Sequence, residues 1–279
     1  MELNHKIALG SVQFGLDYGI SNNTGRTPGH EVKKILDYAS ASGIDTIDTA
    51  EAYGDAEEVL GSLLENKFRI VSKFIHLEND ETLKERLDKC LIKLHSKSIY
   101  GYLAHRPYEL LKTPRLWKDL NELKAEGKIL KIGASLNSPI EFTQLLENNI
   151  KPDLIQVPYN ILDNRFVEVM KTIKDYGGEV HTRSTFLQGL FFVNTESLSS
   201  HFKSVKPLIK NLQTQHKSNL AGSLLKFTLC NQFIDRVVLG VENLKQLKEN
   251  LSQIQNSETP QLVIQDVDEK IISPSLWPK

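Results

Sequence analysis

Short apolar runs alternate along the chain with longer stretches whose apolar positions recur every three or four residues. The runs are KIALG (6–10), DTID (45–48), RIVSK (69–73), IYGYLA (99–104), KIGAS (131–135), LIQVP (154–158), EVHTRS (179–184) and RVVLG (236–240). Continuous apolar runs of this length suit parallel strands covered on both faces. The stretches between them read as helices. EVKKILDYASASG (31–43) ends in Gly43 at a C′ position, where a left-handed residue closes the helix. ETLKERLDKCLIKLH (81–95) repeats leucine at helical intervals. PRLWKDLNELKAEGK (114–128) opens with Pro114, which a first turn tolerates, and closes near Gly127. SPIEFTQLLENN (138–149) and NRFVEVMKTIKDYGG (164–178) repeat the form. Strand then helix, eight times over, predicts an α/β fold, the (β/α)8 TIM barrel, as a single domain over residues 1–279.

Composition changes that picture little. The chain is 40% apolar and 25% charged with a net charge of −1, ordinary for a globular protein and without the basic excess that nucleic-acid binding needs. No run approaches the ~20 apolar residues of a membrane span. MELNHKIALG shows neither an apolar core nor a cleavage site, so a cytoplasmic enzyme is expected. Cys90 and Cys230 both fall in apolar helical patterns and read as two buried thiols.

A barrel of this type does its chemistry at the C-terminal ends of its strands. Those ends carry Asp48, with Tyr53 in the loop beyond, then Lys73, His105, Ser135, Gln156, Arg183 with Ser184, and Gly240. Each alone has a plain structural explanation. Together, Asp, Tyr, Lys and His leave three consecutive strands onto one rim. A free phenol, with a pKa of ~10, holds its proton too tightly to be an ideal acid near neutrality. A neighbouring lysine cation favours the phenolate, a carboxylate keeps that lysine charged and in place, and a histidine can donate to a polarised oxygen. The set makes a proton donor aimed at a carbonyl. No side chain supplies a hydride, so a nicotinamide cofactor would carry it.

IDTAEAYGDAEEVLG (47–61) resembles the signature of the aldo-keto reductases, as do LGSVQFG, VSKF, LAHRP, KIGAS, IQVPYN and GVENLKQLKEN, in order and nearly end to end. The resemblance implies that Tyr53 is the general acid in reduction and the base in oxidation. It implies that Asp48 and Lys73 tune Tyr53 and that His105 orients the substrate carbonyl. Ser135 and Gln156 would hold the nicotinamide carboxamide. The loop from Gly240 would take the adenosine phosphates, with a helix starting near Asn243, since helix N-termini favour phosphate. Asn250 would reach the adenine.

Three departures from the family pattern bear on function. Ser135-Leu136-Asn137 replaces a Ser-Asn pair, so one carboxamide partner is lost or displaced to Asn137. Arg183, beside Ser184, stands where the family places an aromatic residue against the nicotinamide; it could stack there, bind an acidic substrate group, or form a structural salt bridge. Glu242 stands near the ribose position, where an acid suits a free hydroxyl better than a phosphate, while Lys245 and Lys248 are expected to face solvent. NADP and NAD are left level. The rim loops look short and predict an open cleft for a small-molecule carbonyl or alcohol, with a sugar-like compound favoured. The longest insertion, 186–206, holds Phe186, Phe191 and Phe192, at least one of them core; Trp277 is expected to anchor the tail. Tyr18, Tyr108, Tyr159 and Asn160 are candidate pocket residues. The rivals are a cofactor-binding subunit without turnover, a Schiff-base aldolase using Lys73, and a metal-dependent hydrolase, for which His105 lacks ligands at the usual spacing.

Overall fold

A computed structural model describes residues 3–65, 68–77, 81–260 and 267–278. Strands β1 (Ile7–Gly10), β2 (Thr46–Asp48), β3 (Arg69–Phe74), β4 (Ile99–Ala104), β5 (Ile129–Ser135), β6 (Leu154–Pro158), β7 (Glu179–Arg183) and β8 (Arg236–Gly240) form a closed parallel barrel in chain order. β8 pairs with β1 in the register Gly10 to Gly240, which completes the ring. Every apolar run is a strand, and the (β/α)8 barrel is the fold.

The helices in chain order are α1 (Val12–Gly15), α2 (Gly29–Ala41), α3 (Ala56–Leu63), α4 (Leu83–Lys93), α5 (Tyr108–Lys112), α6 (Arg115–Ala125), α7 (Pro139–Glu147), α8 (Val167–Asp175), α9 (Lys206–His216), α10 (Leu220–Leu229), α11 (Leu244–Asn256) and α12 (Glu269–Ile272). Their local chemistry follows the sequence. Thr82 and Glu85 exchange side-chain acceptors for each other's backbone amides and so open α4 with a capping box. α2 buries Val32, Ile35, Leu36 and Ala39, the stripe expected of a helix on a sheet. Gly43 at φ +83° and Gly127 at φ +74° stand just past the ends of α2 and α6, in the left-handed region.

The main core lies between barrel wall and helices. Inside the barrel, Val71, Leu103 and Leu154 make a small buried cluster of their own. Lys73 and Gln156 come two residues later on the same strands, and His105 directly after β4, where its N still donates to Phe74 O at 2.9 Å. Residues two apart share a face of a strand, so a polar layer sits directly above this apolar plug.

A third cluster belongs to the segment between β7 and α10 and to the tail. Phe191 is fully buried in it, Phe186 packs against its edge, and Phe192 is exposed. Residues 261–266 lie outside the described residues; beyond them Ile271 and Ile272 join this cluster, and Trp277 packs edge-on to Phe202 and donates to Ile271 O at 2.8 Å. The reading of both cysteines as buried needs correction. Cys90 is buried, but Cys230 is exposed, because it caps the C-terminus of α10 beyond the buried stripe.

One backbone contact positions the rim. A Cβ added at Gly15 would lie 1.8 Å from Tyr53 O, and one added at Gly54 would lie 2.6 Å from Gly15 O. The turn that carries Tyr53 therefore rests on α1 with no room for a side chain. Gly15→Ala is expected to cost about 1–3 kcal/mol through overpacking, visible as a Tm lowered by several degrees. Gly29→Ala, where an added Cβ meets nothing within 4 Å, should leave Tm nearly unchanged. Equal melting points for the two variants would refute the contact.

Candidate active site

The segment after β2 is held as an extension of the strand before it turns. Thr49 N donates to Val71 O at 2.8 Å and Glu51 N to Lys73 O at 3.0 Å, which continues the ladder to β3. The Glu51 carboxylate pairs with Arg86 of α4 and accepts from Ile75 N. Tyr53 N then donates back to Ala50 O at 3.0 Å, closing the turn that returns the Tyr53 ring to the barrel mouth.

Beneath that ring lies a buried ion pair. Lys73, with no exposed surface, donates to both Asp48 oxygens at 2.8 Å and to Thr49 O at 2.9 Å. Its Nζ is 5.1 Å from the centre of the Tyr53 ring. Burial works against the charge on Lys73, but the Asp48 carboxylate and the Tyr53 phenol outweigh it and lift its pKa above the ordinary lysine value. Asp48 Oδ1 also accepts from Gln156 Nε2 at 2.7 Å, so one carboxylate ties β2, β3 and β6 together. His105 meets Tyr53 edge-on at 5.9 Å. Burial, and then the nearby Lys73 charge, lower the His105 pKa to about 4, so its imidazole is neutral near pH 7. Its Nδ1 is buried without a partner among the described residues.

A cavity of about 780 Å³ opens beside Tyr53. Asp48, Tyr53, Gln156, Arg183 and Ser184 line it at the barrel mouth; Gly240, Glu242 and Asn250 line its other end, along the start of α11. The remaining candidates stand outside the lining. Lys73 lies below Asp48 and His105 beside Tyr53. Ser135 is buried next to Gln156 on the neighbouring strand. Asn137 faces Arg183, whose Nη2 it accepts at 2.6 Å. Asn243 is the cap of α11, its Oδ1 accepting from Gln246 N at 2.9 Å. Asn243 is thus taken up by a local hydrogen bond, the common use of that side chain at helix starts, and Asn137 by the long-range contact with Arg183.

Other lining residues carried no separate signal in the sequence. Ser11 Oγ, Gln13 Oε1 and Gln156 Oε1 are buried acceptors without partners among the described residues, and all three residues line the cavity. Ser11 and Gln13 lie within the LGSVQFG motif, the clue that could have found them. Lys217, just before α10, and Gln246, Glu249 and Gln253 of α11 complete this part of the wall.

The cleft is less open than the loop lengths suggest. Ile20 N donates to Gln188 O, and Gln188 Nε2 to Tyr18 OH, both at 3.1 Å, so the loop after β1 and the insertion after β7 join across the rim. The backbone turns sharply here: Ser184, Leu187 and Gln188 all have positive φ, at 67°, 45° and 54°. Such strain gathers at binding sites. Of the candidate pocket residues, Tyr18 lines the cavity and the other three do not. Tyr108 points outward on α5, 61% exposed. Tyr159 stacks on Phe227 at 5.6 Å. Asn160 holds the β7 exit from behind, donating to Ser184 O at 3.0 Å. Among the described residues no three His, Cys, Asp or Glu side chains are grouped so that they could hold a metal ion, and no helix is long and apolar enough to cross a membrane.

Fold and site together define a barrel protein whose titratable groups gather at the C-terminal rim beside a deep cavity. The chain belongs to the aldo/keto reductase family, whose sequence model matches residues 6–272. It is similar to an NAD/NADP-dependent indole-3-acetaldehyde reductase of Schizosaccharomyces pombe, 31% identical over 54% of this chain and 54% of that protein. It is also similar to a 6-dehydroglucose reductase of Agrobacterium fabrum, 26% identical over 51% of this chain and 55% of that protein. The chain thus matches about half the length of these curated relatives. Among solved structures, an aldo-keto reductase from Bacillus halodurans in its holo form aligns with a TM-score of 0.73, at 20% identity, over 91% of this chain and 88% of that one. A likeness at that identity speaks for the fold.

The lowered pKa of His105 has a consequence for stability. An unfolded histidine titrates near 6.5 and the folded one at about 4. Between those values the unfolded chain binds a proton that the folded chain refuses, so stability falls as pH drops through this window. His105→Gln should retain on the order of 2 kcal/mol more of its pH 7 stability at pH 4.5 than the parent does. Urea denaturation at the two pH values checks this; equal losses would sink it.

Proposed function

We propose that this protein is an NAD(P)-dependent oxidoreductase that interconverts a carbonyl and an alcohol, with Tyr53 as general acid and base. The observation that carries the reading is the buried Asp48–Lys73 pair set 5.1 Å beneath the Tyr53 ring at the cavity wall. The positive field of Lys73 favours the phenolate that forms as Tyr53 gives its proton to a carbonyl oxygen. The neutral imidazole of His105 can donate to the same oxygen without competing for the proton. In the oxidative direction Tyr53 takes the proton back.

A nicotinamide dinucleotide, when bound, supplies the hydride. The residues present fit it. The unpartnered acceptor of Gln156 suits a carboxamide N–H, Ser11 and Gln13 offer further polar atoms, and Gly240 leaves the β8 exit without a side chain where a Cβ would press on Gln13 at 2.9 Å. Gly240, Glu242 and Asn250 would receive the adenosine end. That end favours NAD over NADP. Three amides around the start of α11 are already engaged: Leu244 N donates to the Glu31 carboxylate, Gln246 N to Asn243 Oδ1, and Glu242 N, just before the helix, to Gln246 Oε1. Glu242 and Glu249 line the cavity there, whereas Lys245 points to solvent and Lys248 lies over Tyr38. A 2′-phosphate near the start of α11 would meet the Glu242 and Glu249 carboxylates and occupied amides, against one lysine in the cavity lining, Lys217. A sugar-like carbonyl substrate is supported by the size of the cavity and by the relative named for 6-dehydroglucose.

The Schiff-base alternative needs a neutral lysine, and Asp48 holds Lys73 charged. Borohydride should therefore trap no substrate on Lys73.

Two measurements follow. Tyr53→Phe should lower kcat about 10²–10⁴-fold for NAD(P)H-dependent reduction of aldehydes, with cofactor binding by fluorescence retained. Full activity in that variant would overturn the reading. The ratio of kcat/KM with NADH to that with NADPH should exceed one; a strong preference for NADPH would reject the argument from Glu31 and Glu242.

A further inference from the structure

Arg183 is a guanidinium set into the cavity wall without a counter-ion among the described residues. Its hydrogen bonds end on neutral acceptors: Nη2 donates to Leu136 O at 3.1 Å and to Asn137 Oδ1 at 2.6 Å, and Nη1 to Ser184 Oγ at 3.4 Å. The structural salt bridge that its position allowed is therefore not formed there. The carboxylates whose fields reach it, Asp163 and Asp48, each hold another cation. Asp163 accepts from Arg165 Nε at 2.9 Å and Nη2 at 3.1 Å, and Asp48 from Lys73 at 2.8 Å. Burial draws the Arg183 pKa below the ordinary guanidinium value, with Tyr53 and Tyr18 acting against that shift. The group nonetheless stays a cation.

A half-buried guanidinium with no carboxylate beside it is free to pair with a ligand that brings the missing charge. An arginine serving only to tie β7 to the loop after β5 would need its donors there, not its net charge. The neighbouring groups are suited to a ligand. Tyr18 lines the cavity and feels the fields of both Tyr53 and Arg183. Its hydroxyl accepts from Gln188 Nε2 at 3.1 Å, which leaves its own proton to donate. The other cationic side chain in the cavity lining, Lys217, precedes α10, whose Gly222 N donates to Gln253 of α11. Lys73 is taken up by Asp48, which leaves Arg183 as the cation of the Tyr53 side without a counter-ion among the described residues.

We propose that Arg183, with the Tyr18 hydroxyl, binds a carboxylate of the substrate, so that the carbonyl compound handled at Tyr53 is an acidic one. The inference rests on the oxidoreductase reading above and adds its substrate class: an aldehyde or ketone that carries a carboxylate within reach of the same cavity. Guanidinium presents paired donors that match a carboxylate. Charge-assisted bonds of this kind correspond to about ten- to hundredfold in affinity or specificity.

The test compares 4-carboxybenzaldehyde with its neutral methyl ester, methyl 4-formylbenzoate, as substrates of the full chain. The wild type should favour the acid at least tenfold in kcat/KM. Arg183→Met should abolish that ratio, and Arg183→Lys should restore part of it. If both aldehydes are reduced but the ratio is near one in the wild type, or unmoved in Arg183→Met, the carboxylate site is wrong while the oxidoreductase reading stands. The carboxylate site is equally wrong if Arg183→Met weakens NAD(P)H binding tenfold and leaves the ratio alone, since Arg183 then serves the cofactor. If neither aldehyde oxidises NAD(P)H, that failure belongs to the oxidoreductase reading. Calorimetry with 4-(hydroxymethyl)benzoate against 4-methylbenzyl alcohol then decides the carboxylate site by itself. Carboxylate-dependent binding lost in Arg183→Met supports it, and no such dependence overturns it.

Discussion

A charged ammonium group sealed inside the barrel is the constraint on which the rest of this site depends. Lys73 has no access to water, so its charge persists only because Asp48 and the Thr49 carbonyl surround it. Removing one partner from such a pair typically costs about 3–5 kcal/mol, because it strands the other charge. The pair therefore fixes more than itself. It locks the β2 exit to β3, it takes Gln156 of β6 through Asp48, and its lysine charge adds to the burial that keeps His105 neutral. The Tyr53 ring lies over this pair on a turn pressed against Gly15. The proton transfer proposed for Tyr53 would gain from that rigidity, since donor and acceptor must meet at hydrogen-bond distance.

The barrel supplies the floor of the cavity and the loops supply its walls. The segment after β7 has its own small core, with Phe191 and Phe202 packed against the tail through Ile271, Ile272 and Trp277. Gln213 of α9 holds it from behind by donating to Phe191 O and Val193 O. Its left-handed residues bring the backbone at Gln188 against the loop after β1. In this fold the strands change little with function, while such loops decide what can enter.

Charge is distributed unevenly around this cavity. On the Tyr53 side the acids are satisfied and a cation, Arg183, is not. At the α11 end, Glu242 and Glu249 face the cavity and the helix amides already have acceptors. The first arrangement underlies the proposal of a ligand with an anionic group near Tyr53. The second disfavours an extra phosphate at the far end. The first follows from a simple rule: a partly enclosed site strengthens the pull of a charge left unpaired.

Much of this was readable along the chain. Eight apolar runs became eight strands because a parallel strand covered on both faces has to be apolar throughout. Gly43 and Gly127 marked helix ends because only a residue without a Cβ is unstrained there. The polar residue two places beyond each of Val71, Leu103 and Leu154 had to share their face, so the rim location of Lys73, His105 and Gln156 was fixed by strand periodicity alone. What periodicity cannot give is the aim of a side chain once the strand has ended. Asn243 turned to a local hydrogen bond, Asn137 to Arg183, Tyr108 to solvent, and Tyr159 to Phe227. Cys230 fell outside a buried stripe that ends one residue before it. The unmatched charge of Arg183, and the meeting of Tyr18 with Gln188, depend on contacts between residues up to 170 positions apart. Local sequence set where each polar group leaves the barrel. Only the closed fold, by choosing which distant groups share a low-dielectric space, decided which charges are matched and which are left for a ligand.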